Sequence, residues 1–173
     1  MTPELKQLRE NILSLGAIQG AMYVLPLVTV PYLVRVLGAE YFGLLAFSTA
    51  VIAYFGLITD FGFNLTATRL TSVNRSENKK LTEIFSSVII IKLALYVLSF
   101  LILTILMILF EKFRSHWYLY LIVFSGVFGQ VIFPVWFFQG MEKMKYITYI
   151  KIITQIFFTI SVFIIIKSNS DFY

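Results

Sequence analysis

Several residue types are scarce in this 173-residue chain, and each scarcity excludes a class of protein. Cysteine is absent, which excludes a disulfide framework, a thiolate metal site and a cysteine nucleophile. Charged residues make up only 13% of the chain, against roughly 25% in soluble domains. Hydrophobic residues make up 59%, more than one soluble core of this size can bury. The composition therefore indicates an integral membrane protein.

Sequence patterns of catalytic sites are also missing. No P-loop, GxSxG, HExxH or GxGxxG pattern occurs, and the only histidine, His116, stands alone beside Trp117. The net charge of +5 fits basic cytoplasmic loops of a membrane protein better than a nucleic-acid site in so apolar a chain. We therefore expect no enzyme activity, no metal, no cofactor and no nucleic-acid partner.

Long apolar runs are the dominant feature of what is present. A helix needs about 20 apolar residues to cross the hydrocarbon core of a bilayer. Five runs qualify, and they cover residues 12–34, 41–63, 84–110, 117–141 and 146–166. They predict an all-α, polytopic transmembrane helix bundle in which residues 1–173 form one transmembrane domain. The connections are short, with a hairpin at 35–40 and the longest and most polar loop at 64–83.

The distribution of basic residues predicts the orientation. Eight lysines and arginines fall on the side of the N-terminus and of the 64–83 loop, and four fall on the other side. Because cytoplasmic loops are enriched in these residues, the N-terminus is predicted to be cytoplasmic.

Two ionisable residues inside the predicted spans are functional candidates because a charge in the membrane is costly. Asp60 lies near the cytoplasmic end of the second span, and Lys92 lies about 12 Å into the third. Since these spans run antiparallel, the two side chains could pair and face a cavity for a charged substrate or a proton. The alternative is that Lys92 extends to the membrane surface while Asp60 caps a helix end.

Other semi-polar positions leave the same two alternatives open. Lys92, Tyr96 and Ser99 share one helix face, which fits either the wall of a water-filled cavity or helix–helix packing. Pro26 and Pro31 are predicted to kink the first helix. Bent helices accompany binding sites in transporters, although proline is common in membrane helices generally.

Three stretches carry a resemblance to a known family. PYLVRVLGAEYFG at 31–43, DFGFN at 60–64 followed by Arg69, and WFFQGMEKMKYIT at 136–148 resemble, in that order, segments of O-antigen (Wzx-type) flippases. These belong to the multidrug/oligosaccharidyl-lipid/polysaccharide exporter superfamily. The family fold has two six-helix lobes around a central cavity. The resemblance therefore implies that the chain corresponds to the N-terminal lobe without its sixth helix, either as a piece of a longer transporter or as a truncated gene product.

The resemblance also implies a function. Such a flippase moves undecaprenyl-diphosphate-linked sugar units across the bacterial inner membrane for O-antigen or capsular polysaccharide synthesis. Its partners would be this lipid-linked oligosaccharide, membrane lipid, and glycan polymerase and chain-length proteins. Cationic and polar cavity walls would lower the cost of moving a diphosphate and a glycan past hydrocarbon. The candidates for such a cavity in this sequence are Arg35, Asp60, Arg69 and Lys92.

Two other functions stay open at this point. One is a cation-coupled multidrug exporter of the same superfamily, and the other is a non-transporting membrane scaffold for glycan assembly. A glycosyltransferase or polymerase would need a large periplasmic loop or a set of catalytic carboxylates, whereas the longest loop is predicted to be cytoplasmic and holds only Glu77 and Glu83.

Overall fold

A computed structural model describes residues 3–167, and the side chains of residue 20 and residues 23–167. This part of the chain is helical throughout and contains no strand. Its elements are α1 (Pro3–Asp60), α2 (Phe63–Val73), α3 (Asn78–Leu109), α4 (Glu111–Arg114), α5 (Trp117–Ile132), α6 (Val135–Gly140) and α7 (Met144–Ile165). The predicted all-α class is confirmed.

The first helix covers the first two predicted spans. Its backbone leaves helical geometry at Gly38, where φ is 79° and ψ is 167°. This break lies inside the predicted 35–40 hairpin. Pro26 and Pro31 both lie within α1, in helical backbone, so the kinks predicted at these positions stay a prediction.

The predicted loop at 64–83 is wrong over its first half, because α2 occupies Phe63–Val73. Phe61 and Gly62, both with positive φ, separate it from α1. Glycine adopts this left-handed backbone without a steric penalty, so Gly62 ends one helix and lets the next start in a new direction. The helix escaped prediction because it is short and half polar, whereas a search for membrane spans detects only long apolar runs.

The predicted fourth span is interrupted. Residues 117–141 contain two helices, and α5 ends at Ile132 while α6 begins at Val135. Pro134 stands between them and has no N–H to continue the ladder, and its ring disfavours helical backbone at the preceding residue. A single continuous helix over this range is therefore wrong.

Four helical stretches in the described range are long and apolar enough to cross a membrane: Tyr23–Val73, Asn78–Leu109, Trp117–Gly140 and Met144–Ile165. The first is 51 residues long, more than twice the length that one crossing needs. It contains the second predicted span and the described part of the first. The predicted boundaries of the five spans stay a prediction.

The described residues form two compact units. One contains residues up to Gly43 together with those from Lys145, and the other is Leu44–Met144. In the first unit, Leu33 and Leu37 of α1 are buried with Val162 of α7. There the Tyr32 hydroxyl donates a 2.6 Å hydrogen bond to the Ile166 carbonyl, just beyond the end of α7.

The second unit has an aromatic core among α1, α3, α4 and α5. Its fully or nearly buried members are Ile52, Phe55, Leu103, Tyr120, Phe124 and Val127. Large apolar side chains stay exposed on the outside of the same helices, for example Ile90 and Leu101 of α3 and Ile122 of α5. An apolar exterior around an apolar interior is typical of a helix bundle that lipid surrounds.

Candidate functional site

The candidate site begins at the C-terminal end of α1, where Asp60 is the last helical residue. The carbonyl end of a helix carries partial negative charge, so a carboxylate there is disfavoured unless a cation compensates it. Lys92 of α3 supplies the cation, with its Nζ 3.0 Å from Asp60 Oδ1. The predicted pairing of Asp60 and Lys92 is therefore confirmed.

The two partners differ in burial. The Lys92 side chain is 5% exposed, whereas that of Asp60 is 28% exposed. The Lys92 ammonium is thus enclosed within the unit, which argues against its extending to the surface. Asp60 does end its helix, as the alternative reading required. The cation of the pair is therefore almost completely buried, whereas the carboxylate is partly exposed.

A third helix approaches the pair one turn earlier along α1. A Cβ added to Gly56 would lie 3.3 Å from Oε1 of Gln130, so α5 brings an amide group close to α1 at this level. On α3, one turn beyond Lys92, Tyr96 stacks on Phe124 of α5 with ring centroids 4.9 Å apart. Gln130 was missed by sequence reading because nothing in the apolar run marks which of its polar residues faces a neighbour.

The stripe of Lys92, Tyr96 and Ser99 lies on the packed face of α3. Ser99 is fully buried, and its hydroxyl has no hydrogen-bond partner among the described residues. Leu103, one turn further on, is also fully buried. On α3, helix packing therefore explains this stripe beyond Lys92 better than a water-filled wall.

The other two cavity candidates are both exposed. Arg69 lies on α2 in the second unit, and Arg35 lies on α1 in the first unit. Their predicted contact with substrate stays a prediction.

A second polar arrangement, which sequence reading missed, joins α2 to α6. Gly140 ends α6 against Thr71, and a Cβ at this glycine would lie 2.6 Å from the Thr71 Cβ and 2.9 Å from the Thr68 carbonyl oxygen. The Thr68 hydroxyl also donates to the Trp136 carbonyl across 3.2 Å. We call this contact of α2 with α6 the clamp.

Arg75, just beyond α2, closes the clamp. Its Nε donates to the Gly140 carbonyl at 2.6 Å, and its Nη1 lies 2.8 Å from Oε1 of Glu142. Its Nη2 donates to the Ser72 hydroxyl at 3.1 Å. Trp136 is fully buried in the apolar cluster beneath, with Phe85 and Phe137 against it. The stretch at 136–148 that carried part of the resemblance thus contributes the α6 side of the clamp.

Among residue 20 and residues 23–167, whose side chains the structure describes, no group of three or more carboxylate or imidazole side chains lies close enough together to hold a metal ion. What the Asp60–Lys92 pair offers chemically is one buried ammonium with three N–H donors and one accessible carboxylate.

Comparison with known proteins decides the family. The sequence model for "Polysaccharide biosynthesis protein" matches residues 8–173. The chain belongs to this family.

The relatives carry a transport name. The chain is 37% identical over 164 residues to the "Putative O-antigen transporter" of Escherichia coli (strain K12). The aligned region covers 95% of this chain and 40% of that protein. It is 32% identical over 164 residues to the protein of the same name from Shigella dysenteriae, covering 95% of this chain and 41% of that protein. The chain thus spans about two fifths of the length of these curated relatives. No solved structure matches.

Family membership and the apolar helices together describe a multi-pass bacterial membrane protein of the polysaccharide biosynthesis family. The predicted relationship to proteins named as O-antigen transporters is confirmed at this level.

Proposed function

We propose that this chain is part of a flippase that moves undecaprenyl-diphosphate-linked oligosaccharide across the bacterial inner membrane for O-antigen or capsular polysaccharide synthesis. It works as a transporter and not as an enzyme. The observation that carries the proposal is the Lys92 ammonium, 5% exposed and held 3.0 Å from Asp60 inside an apolar helix bundle. The O-antigen transport named for two relatives supports the substrate class.

Physical chemistry links the pair to such a substrate. A diphosphate loses strong hydration when it leaves water, and a buried ammonium replaces part of that hydration. Asp60 holds the Lys92 side chain inside the bundle until an anion arrives. Because the ammonium has three donors, a phosphate oxygen can join Asp60 or replace it as the partner.

Gln130 extends the proposed site toward the glycan. Its amide lies beside Gly56, one turn from Asp60, and offers both a donor and an acceptor for sugar hydroxyls. Arg35 and Arg69 remain proposed contributors to the transport path.

Complementation tests the proposal. The full-length protein that contains this chain is expressed in a strain that lacks its O-antigen flippase, and the lipopolysaccharide ladder is scored together with the pool of lipid-linked sugar units. We expect Lys92→Ala to remove the ladder and to raise that pool at normal membrane abundance. Lys151→Ala, at an exposed position of α7, is the matched control and should leave both unchanged.

The alternatives give different results in the same strain. A multidrug exporter would change drug susceptibility and leave the ladder independent of Lys92. A scaffold would keep full function when Lys92→Met and Asp60→Asn are combined. Either outcome would overturn the flippase proposal.

The proposed topology has the N-terminus and the clamp in the cytoplasm. A periplasm-dependent reporter fused after residue 76 should be inactive, and one fused after residue 112 should be active. The reverse pattern would contradict this orientation.

We further propose glycan polymerase and chain-length proteins as partners, because they act on the translocated unit; crosslinking in the membrane tests this.

A further inference from the structure

The outward face of α2 has no role in the clamp or in the ion pair. Three of its residues follow one another at four-residue spacing, namely Leu65, Arg69 and Val73. Leu65 is 80% exposed and Val73 is 75% exposed, and Arg69 lies exposed between them. We call this stripe the outer face of α2.

The opposite face of the same helix is occupied. Ala67 and Thr71 are buried, and Thr71 packs against Gly140 of α6. Residues two apart on a helix differ by about 200° in direction, so the outer face points away from the protein. The orientation of α2 is therefore set by the clamp, and the exposure of the outer face follows from it.

Length decides where such a helix can lie. Eleven residues span about 16 Å, about half of the hydrocarbon thickness of roughly 30 Å. It forms the last 11 residues of the stretch Tyr23–Val73, which is more than twice as long as one crossing needs, and α3 begins the next candidate span, so α2 lies near a membrane surface. Large apolar side chains beside a cation are typical of a helix that lies in the plane of the membrane interface.

The surrounding charge favours anionic headgroups over zwitterionic ones. Residues 64–83 hold four basic and two acidic side chains. Two of these bases already have acidic partners, since Lys80 Nζ lies 3.0 Å from Glu77 Oε2 and Arg75 Nη1 lies 2.8 Å from Glu142 Oε1. Arg69, Lys79 and Glu83 lie outside these two pairs, which leaves an excess of one positive charge among them. Each basic side chain near an anionic bilayer surface contributes to attraction, and Arg can bind a phosphate with two parallel hydrogen bonds.

We propose that α2 is an in-plane interfacial helix whose Arg69 binds the phosphate of an anionic phospholipid, with Leu65 and Val73 inserted among the acyl chains on either side. This role does not rest on the proposed transport function. It is an alternative to the contribution of Arg69 to the transport path named above, and the experiment below separates the two.

Site-directed quenching tests the proposal on the full-length protein in lipid vesicles without substrate. The 173 residues contain no cysteine, so Leu65→Cys carries a bimane dye once any cysteine elsewhere in the protein has been replaced. The vesicles are phosphatidylethanolamine with a fixed fraction of nitroxide-labelled phosphatidylglycerol or nitroxide-labelled phosphatidylcholine. We expect stronger quenching by the phosphatidylglycerol label.

Variants then separate the headgroup contact from general lipid exposure. Arg69→Gln should reduce the preference for phosphatidylglycerol by about fivefold, the factor that matches ~1 kcal/mol per basic side chain. Arg69→Lys should restore most of it. Lys80→Gln is the matched control, since it lowers the net charge of the same segment by one without touching the outer face of α2, and it should change the preference little.

Three results would overturn the proposal. Absence of quenching by either lipid means that another part of the polypeptide covers the outer face. Equal quenching by both lipids means that α2 lies in the membrane without binding an anionic headgroup. An unchanged preference in Arg69→Gln, with transport lost, would return Arg69 to the cavity.

Discussion

Two ion pairs of the second unit, Lys92–Asp60 and Arg75–Glu142, have similar lengths but different surroundings. Lys92 and Asp60 lie 3.0 Å apart with side chains 5% and 28% exposed, and Arg75 and Glu142 lie 2.8 Å apart with side chains 36% and 71% exposed. Water and headgroups reach the second pair and screen it, whereas the first lies within the bundle. Distance alone therefore says little about which pair the protein depends on.

The comparison also separates two ways of using a cation. Lys92 has Asp60 as its ionic partner inside the bundle, so losing that partner leaves a buried charge uncompensated. Arg75 divides its donors among a carbonyl, a hydroxyl and a carboxylate, so it loses only part of its bonding when Glu142 is removed. The first pair compensates a charge buried inside the bundle, whereas the second fixes the geometry of the clamp.

The largest effect is expected from Asp60→Ala. The Lys92 ammonium would be left buried without its counter-ion, which costs about 3–5 kcal/mol in the free energy of unfolding. Lys92→Met should cost less, because Asp60 is 28% exposed and can turn toward solvent. Unfolding of the full-length protein by SDS in mixed micelles measures both variants. If Lys92→Met proves the more destabilising, the burial asymmetry is not what sets the energy of the pair.

Gly140→Ala is expected to come next. The added methyl group would lie 2.6 Å from the Thr71 Cβ and 2.9 Å from a backbone oxygen, so α2 and α6 must move apart. Overpacking of this kind costs about 1–3 kcal/mol. In the same unfolding assay, Gly140→Ala should cost less in a Thr71→Gly background, which lacks the opposing Cβ, than in the parent protein. Full stability of the single variant would show that the clamp can open without cost.

A smaller loss is expected from Arg75→Ala. This variant removes the donor to the Gly140 carbonyl and the partner of Glu142, a charged hydrogen bond being worth about 1.5–3 kcal/mol at most and less at this exposure. Protease cutting between α2 and α3 in membrane vesicles should become faster. Arg75→Lys should not rescue it, because a lysine cannot reach a carbonyl, a hydroxyl and a carboxylate in three directions at once. Rescue by lysine would show that only the positive charge of Arg75 matters, and not its hydrogen bonds in three directions.

Glu142→Gln should have the smallest effect. Exposed ion pairs contribute about 0–1 kcal/mol, and the bond from Arg75 to Gly140 remains. Its unfolding free energy should stay close to that of the parent protein in low and in high salt. A loss comparable to that of Asp60→Ala would remove the contrast between the two pairs.

The Asp60–Lys92 pair was predictable because charge in an apolar run is conspicuous and antiparallel spans place the two at one depth. The break at Pro134 also had a signal, since proline cannot continue a helix ladder, but the length of the apolar run concealed it. For α2, the spacing of Phe63, Ala67 and Thr71 indicates one face of a helix, but the polar residues between them resemble a loop.

The clamp could not be predicted from one sequence. Nothing near Gly140 in the chain indicates that Thr71, far away in sequence, approaches it. The same holds for Gln130 and Gly56, whose proximity depends on how α1 and α5 pack. Sequence patterns identify residues that are unusual for their surroundings, whereas contacts between ordinary residues depend on the tertiary arrangement.

The tight approach at Gly140 has a genetic consequence. Every single-base change that alters a glycine codon to another amino acid introduces a side chain with a Cβ, and a Cβ here would lie 2.6 Å from Thr71. Codon 140 therefore offers random mutation no missense change that preserves the contact. Deep mutational scanning of the gene should find that only synonymous changes are tolerated at codon 140. The codon of Glu142, two residues further on, should accept many replacements.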